Sequence, residues 1–529
     1  MKNKTGYILG ISRGHNAAVC LLKDGKIVFS IEEERLTRRK YDGAPLAGIV
    51  KVLEYTKKVD ALVIAHTQPD ESRLDYSGDK VYSGLARKLG LISNDDQVHE
   101  VHDKHHEMHA ACAFYRSGFK EAAALVADGC GSQLFIEEGT RDIWEFESIF
   151  GCSYNKPFKP LYKHFGNNGP FTLQRFEQEG CEILIDENPG IVKAYEAVTE
   201  YCGWSSIEAG KTMGLFPYGK RKDGLQPLVR NGSVDRSMII PRVPNGAMVN
   251  YNNHEYLNNH DSEDLTLLDN RRDLAYRVQV DSQKAMLNLI LKAAKIGKTK
   301  NVVVSGGYGL NCVANYYYLD KLKEHDINLF VEPISNDAGT SIGAALWYYH
   351  QVQEVDNYTP SRERNENLYL GPKYDYSEWD FDSIERGEIQ YNQSYSDVID
   401  LLRNKNIVAM FQGSCENGPR ALGNRSILFD PTFEDGKDFV NDVKHREYFR
   451  PFAGTVLEEH THDWFDLRGM ESSPSMMYAV NCKDIDGKFV GDIIPSVIHV
   501  DGSCRIQTVN AEQNEHFYNL ISEFYKETG

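Results

Sequence analysis

Three short runs of apolar residues open the chain: Tyr7-Ile8-Leu9-Gly10-Ile11, Ala17-Ala18-Val19-Cys20-Leu21-Leu22 and Lys26-Ile27-Val28-Phe29-Ser30-Ile31. Lys23-Asp24-Gly25 joins the last two, and its Asp-Gly pair signals a hairpin turn, so the pattern predicts an antiparallel start. Strands and helices then alternate. Residues 60–65 and 122–127 are continuous apolar runs, as expected of central strands covered on both faces. Residues 284–297, with Ala285, Leu287, Leu289, Ile290 and Leu291, predict a helix. The strand 301–305 follows and runs straight into Gly306-Gly307; paired glycines after a strand let backbone N–H groups approach a phosphate. A further helix is predicted from near Gly339 through Trp347. Residues 353–367 are polar, carry Pro360 and read as a linker. Beyond them the strand 406–411 opens a second α/β unit, in which 493–498 reads as another strand. The Asn-rich stretch 220–275 predicts loops and short elements. No fixed-period repeat is visible. Domains are therefore expected at 1–352 and 368–529.

At 529 residues the chain is too long for one ordinary core. Its 41% hydrophobic and 26% charged content is that of a globular protein. No run approaches the roughly 20 apolar residues that span a bilayer, and the first residues show no export signal, which predicts a cytoplasmic protein without a membrane partner. Ten cysteines without a Cys-x-x-Cys pair fit a reduced setting, most of them as small buried residues. A net charge of −18 argues against a broad nucleic-acid surface, while leaving room for a local basic pocket.

Two polar signatures carry the candidate chemistry. The first begins with His105-His106-Glu107-Met108-His109. His105 and His109 are four apart and share one helix face, so both can bind one ion; His106 points elsewhere. Asp128 follows a buried strand and is backed by Gly129, and Asp337 lies in a similar strand-to-helix turn within Asn336-Asp337-Ala338-Gly339. Two imidazoles and two carboxylates suit Fe(II), Zn, Mn or Ni better than Ca or Mg. A zinc-protease reading fails, because His-Glu-x-x-His would need histidine where Ala110 stands. The bland alternative is a pair of surface or satisfied core histidines. Gly306, Gly307, Asn311 and Asn336 are the nucleotide candidates beside this set.

The second signature is Gly418-Pro419-Arg420-Ala421-Leu422-Gly423-Asn424-Arg425-Ser426, followed by Asn441, Lys444, His445 at helical spacing, Arg446, and Arg450-Pro451-Phe452. Guanidinium forks on a glycine-bounded loop suit phosphate or carboxylate. Arg420, Lys444 and Arg450 are the catalytic candidates here; Arg420, Asn424, Arg425, Ser426, Asn441, Arg446, His499 and Arg505 are the binding candidates. Interspersed Asp and Glu offer the bland alternative of a solvated, ion-paired face.

With these motifs, the chain resembles the O-carbamoyltransferases of nodulation factors, cephems and aminoglycosides over nearly its whole length. The resemblance adds Gly14-His15 with Ala17-Ala18, Glu32-Glu33-Glu34-Arg35-Leu36-Thr37-Arg38, and Lys211 with Met213-Gly214-Leu215. It implies an α/β protein: an N-terminal actin-like ATPase fold (ribonuclease-H-like, duplicated) and a C-terminal carbamoyl-adenylate-forming domain similar to threonylcarbamoyl-AMP synthase. It implies that carbamoyl phosphate and ATP give carbamoyl-adenylate and pyrophosphate, and that the carbamoyl group then passes to a hydroxyl. It further implies a divalent metal, iron first, with Mn, Zn or Mg as alternatives, and adds Lys211 to the nucleotide-binding candidates. His15 and Asn16 become candidates for handling the acceptor, a small molecule or nucleotide, and a homodimer is an expectation. The chain departs from the family at Asn16, where Asp is usual, and at Lys526-Glu527-Thr528-Gly529, where relatives continue with an apolar strand, so a shortened C-terminal domain is expected. A tRNA threonylcarbamoyl enzyme, disfavoured by the acidic balance, and a non-catalytic actin-like module are the alternative readings.

Overall fold

Asp24 and Gly25 take φ of 50° and 80°, the turn that the Asp-Gly pair predicts, and join the antiparallel strands Ala18–Lys23 and Lys26–Glu32. The computed structural model describes residues 6–74, 78–135, 142–154, 156–169, 173–230, 232–252, 254–353, 367–377 and 387–529. The chain forms two compact units, one within residues 1–366 and one within 367–529. Of the predicted linker, residues 354–366 lie outside the described residues.

The first unit repeats one topology twice. Its first sheet runs Lys26–Glu32, Ala18–Lys23, Tyr7–Ser12, Ala61–Ala65, Val98–Glu100; the first three strands are antiparallel and the last two parallel to Tyr7–Ser12. The second contains Lys159–Gly166, Asp142–Ser153, Glu121–Ala127, Asn301–Ser305, Asn328–Val331 in the same order and the same senses. Cys181–Ile185 and Gln174–Gln178 extend it at one edge. This is the duplicated, actin-like arrangement. What repeats is strand order rather than residues, so the sequence shows no period.

The helices close the two sheets crosswise. His105–Arg116 follows the last strand of the first sheet, yet its Ala110, Ala111, Ala113 and Phe114 pack with Val126, Val303 and Phe330 of the second. Ala338–Trp347 follows the last strand of the second sheet and lies on the first, so closely that a Cβ on Gly10 would meet the Ser341 carbonyl at 2.1 Å. The two helices touch through Gly343, where a Cβ would stand 1.9 Å from the Met108 carbonyl. Behind the second sheet lies Asp269–Gly297, a helix much longer than the predicted 284–297. Its first half buries Asn270, Arg271, Asp273, Gln279 and Ser282, and such polar burial leaves no apolar period to read.

The second unit has a sheet ordered Ala453–Leu457, Ser503–Val509, Ala479–Cys482, Phe465–Asp466, and a hairpin of Val408–Phe411 with Arg425–Leu428. The helix Ala511–Thr528 seals it, with Phe517 packed on Leu457 and Val509. The expected strand at 493–498 is instead the end of helix Val490–Ile493 and a 3-10 turn Pro495–Val497; Pro495 has no N–H to give to a ladder. The helical spacing read through Lys444 and His445 also stops short: the helix ends at Val443, and His445 takes φ 49°. No described helix is long and apolar enough to cross a membrane. All ten cysteines are free thiols, eight of them buried.

Candidate functional site

Helix His105–Arg116 places His105 and His109 one turn apart, their rings edge to face at 4.8 Å. Asp128 arrives from the end of strand Glu121–Ala127 and Asp337 from the start of helix Ala338–Trp347. His105 Nε2 lies 3.5 Å from Asp128 Oδ2 and 3.7 Å from Asp337 Oδ1. For His109 Nε2 the same distances are 3.9 and 3.6 Å. One ligand atom from each residue falls within 4.8 Å of all the others. Both Nε2 atoms are buried and hydrogen-bond to nothing described, which costs free energy unless something fills the gap between them. Two nitrogens and two carboxylate oxygens around one gap can hold a divalent cation, so the donor set fits the implied metal.

Electrostatics agree. Burial alone would push the His105 imidazole down, but Asp128 and Asp337 override it and hold it up at about 10. Burial would raise the two carboxyls. The imidazoles instead bring Asp128 down to about 2, and His105, His109 and His15 hold Asp337 well below the ordinary range. A cation can take the place of the protons this charge arrangement attracts.

The surroundings fix these side chains. Gly307 N–H donates to Asp128 Oδ1 at 2.7 Å, so the paired glycines orient a carboxylate here. Gly306 must be glycine: its φ is 87° and a Cβ would lie 2.4 Å from the Ala127 carbonyl. Ser305 Oγ stands 3.3 Å from His109 Nδ1, and Ser132 Oγ accepts from the His105 amide. His106 does turn away, to Ser148 Oγ at 2.8 Å, and burial lowers it to about 3. His15 Nδ1 reaches Asp337 Oδ2 at 3.8 Å, and the carbonyl of Asn16 accepts from Ser12 Oγ.

Several predicted nucleotide groups have structural duties. Asn311 caps helix Cys312–Lys323 and exchanges both amide hydrogen bonds with Gln279. Asn336 donates to Glu32 Oε1 at 3.0 Å, and Lys211 pairs with Glu208 at 2.8 Å.

In the second unit, the signature loop wraps a residue the sequence reading missed. Glu416 is fully buried, and its Oε1 accepts from the amides of Leu422, Asn424 and Arg425 at 2.8, 2.9 and 3.1 Å. The available signal was an acid two residues before a glycine-bounded loop rich in N–H groups. Asn424 and Ser426 also serve the loop, through Ser414 O and Gly423 N–H. Arg425 donates to the carbonyls of Gln412, Gly413 and Asn424 and stacks on Phe411 at 3.7 Å. It is a brace for the hairpin. Arg420 is half-buried in the same loop.

The remaining cations gather. Desolvation, then Arg450 and Arg505, lower Arg446 to about 10. Desolvation, Arg446 and Arg450 push Lys444 down as well. Asn441 donates to the Arg450 carbonyl, and Gln507, two residues from Arg505 on one strand face, donates to Leu422 O in the signature loop. Lys444, Arg446, Arg450 and Arg505 thus share one patch, beside Glu447, in which neighbouring cations make the charges of Lys444 and Arg446 costly, the condition an anion relieves. His499 closes the turn before Arg505, its Nδ1 accepting from the Val500 amide.

The carbamoyltransferase N-terminus model matches residues 7–77 and 75–346, and the carbamoyltransferase C-terminus model residues 399–529. The uncharacterized protein sll1178 of Synechocystis sp. is 30% identical, over 98% of this chain and 89% of its own. Nodulation protein NolNO of Sinorhizobium fredii is 27% identical over 97% and 72%, and nodulation protein U of Rhizobium tropici 26% over 99% and 89%. Matched by both models across nearly its whole length, this enzyme belongs to the carbamoyltransferase family.

Proposed function

We propose that the chain is an ATP-dependent O-carbamoyltransferase that works through carbamoyl-adenylate. The second unit would convert carbamoyl phosphate, ATP and water into carbamoyl-adenylate, pyrophosphate and phosphate. The first unit would pass the carbamoyl group to a hydroxyl of a small-molecule or nucleotide acceptor, releasing AMP. The observation that carries this reading is the division of charge: a two-imidazole, two-carboxylate quartet in one unit and a cluster of four cations in the other.

Carbamoyl phosphate is a poor donor to alcohols, and adenylation supplies a better leaving group. Lys444, Arg446, Arg450 and Arg505, with Arg420, would neutralise charge on the phosphates during the first step. His105, His109, Asp128 and Asp337 would hold a divalent metal, iron by family resemblance, which when bound supplies Lewis-acid polarisation. Around it, Gly307 N–H holds Asp128 in place and Ser305 orients His109. His15, beside Asp337 and half exposed, would bind the acceptor. The buried Glu33, whose oxygens accept from the Ala47 and Gly48 amides, is committed to a helix start.

The test is AMP, pyrophosphate and phosphate release from carbamoyl phosphate and ATP, with and without tRNA. Release independent of tRNA, abolished in Arg420→Ala or Lys444→Ala, is expected. His109→Ala should still form the adenylate and fail to transfer it. If His109→Ala loses both steps with its fold intact, the two-site reading is wrong.

A further inference from the structure

An acceptor hydroxyl must lose its proton as it attacks, and the residues around the metal quartet differ sharply in their ability to take it. Asn16 carries a neutral amide, which is no base. Glu33 is spent on two amides. Glu32 is 2% exposed and holds Asn336. His15 faces Asp337. Glu196 is different. It lies on helix Ile191–Tyr201, its Oε2 bonded to the fully buried Lys193 at 2.8 Å, while Lys193 also donates to the Pro244 carbonyl. Its Oε1 receives no hydrogen bond among the described residues and is directed at Gly129, the residue after Asp128. A Cβ there would lie 2.3 Å from this oxygen, so the glycine opens the approach. The side chain keeps 14% exposure. The charged groups facing it are Lys193, Asp128 and His15.

Resting on the proposed carbamoyl transfer, we infer that Glu196 is a catalytic residue whose free Oε1 receives the proton of the acceptor hydroxyl. The acceptor oxygen bonds to the carbamoyl carbon and the bond from that carbon to the AMP oxygen breaks. AMP leaves with the electron pair, and the hydroxyl proton goes to Glu196. Burial raises the Glu196 carboxyl above its ordinary value although Lys193 opposes the shift, in keeping with a base that must hold a proton in the transition state. Lys193 keeps the second oxygen fixed.

The experiment feeds preformed carbamoyl-adenylate to the full chain and measures AMP release with two nucleophiles. Water needs a base; hydroxylamine, a stronger nucleophile, does not. Glu196→Gln is expected to slow the water reaction by about 100-fold, the scale of general-base catalysis, and to leave the hydroxylamine reaction within about threefold. Glu196→Asp should recover part of the water rate. Metal content and pyrophosphate release from carbamoyl phosphate and ATP should match the unaltered protein, reporting an intact fold. Equal slowing of both nucleophiles would make Glu196 structural, and no slowing of either would remove it from the chemistry; either result overturns the inference. If the unaltered protein and His109→Ala break down carbamoyl-adenylate equally slowly, the transfer reading itself fails, a different outcome from both.

Discussion

Replacing Glu416 tests whether one buried carboxylate organises the signature loop. Its Oε1 takes three amide hydrogen bonds, and bonds to an ionised acceptor contribute about 1.5–3 kcal/mol each. Glu416→Gln keeps an oxygen but loses the charge, which weakens all three bonds. The expected local cost is about 2–3 kcal/mol. Glu416→Leu orphans all three amides at about 1–3 kcal/mol each, so about 3–9 kcal/mol in total. Since about 1.4 kcal/mol is a factor of ten, amide exchange at Leu422, Asn424 and Arg425 should accelerate by about 30- to 140-fold in the Gln variant. Hydrogen–deuterium exchange on the full chain reads this in peptides covering 418–428, with the strand Glu121–Ala127 of the first unit as internal control. Pyrophosphate release should fall in parallel, because the same loop carries Arg420. Unchanged exchange over 418–428 in the Leu variant would refute the reasoning.

His109→Ala should lower bound transition metal from about one per chain toward none by elemental analysis, because a quartet reduced to three ligands loses an imidazole. Gly306→Ala should cost about 3 kcal/mol or more, since φ 87° with ψ 161° suits only glycine and the new Cβ meets the Ala127 backbone; a lowered thermal midpoint and reduced metal content would show it. Arg446 has its pKa depressed, so its charge opposes folding below about pH 10 and that cost is relieved as pH rises through this value. Arg446→Met should therefore raise the ligand-free thermal midpoint at neutral pH and shrink the further rise on adding pyrophosphate. Lys163 holds the buried Glu145 carboxyl down at about 2 against the effect of burial. That pair stabilises above the unfolded value of 4.5 and is lost as pH falls toward 2, an integral of about 3 kcal/mol; Glu145→Gln should flatten acid unfolding between these limits, as followed by circular dichroism.

The sequence made the grouping of His105, His109, Asp128 and Asp337 legible because its parts obey local rules: helical spacing for the two histidines, a strand end for Asp128, a strand-to-helix turn for Asp337. The opening hairpin and the strand into Gly306-Gly307 were legible for the same reason. What escaped depends on distant partners. Arg425 reads as an anion fork until Phe411 and three carbonyls claim it. Asn311 reads as polar and available until Gln279 pairs with it. Glu416 and Glu196 look like ordinary acids, and only the folded chain brings one against three amides and the other against a glycine. The front half of helix Asp269–Gly297 was hidden because its buried face is polar.

The crosswise exchange of helices between the two sheets has a consequence for the order of events at the ribosome. The first sheet is complete in sequence by residue 100, but the helix that covers it, Ala338–Trp347, is made more than 200 residues later. Until then its central strands lack their lid, and helix His105–Arg116 waits in turn for Asn301–Ser305 and Asn328–Val331. A repeat architecture usually lets one copy fold while the next is being translated. Here neither copy can finish alone, so the first unit must close in one late, cooperative step, and a nascent chain released early would expose two unfinished sheets to chaperones or to one another.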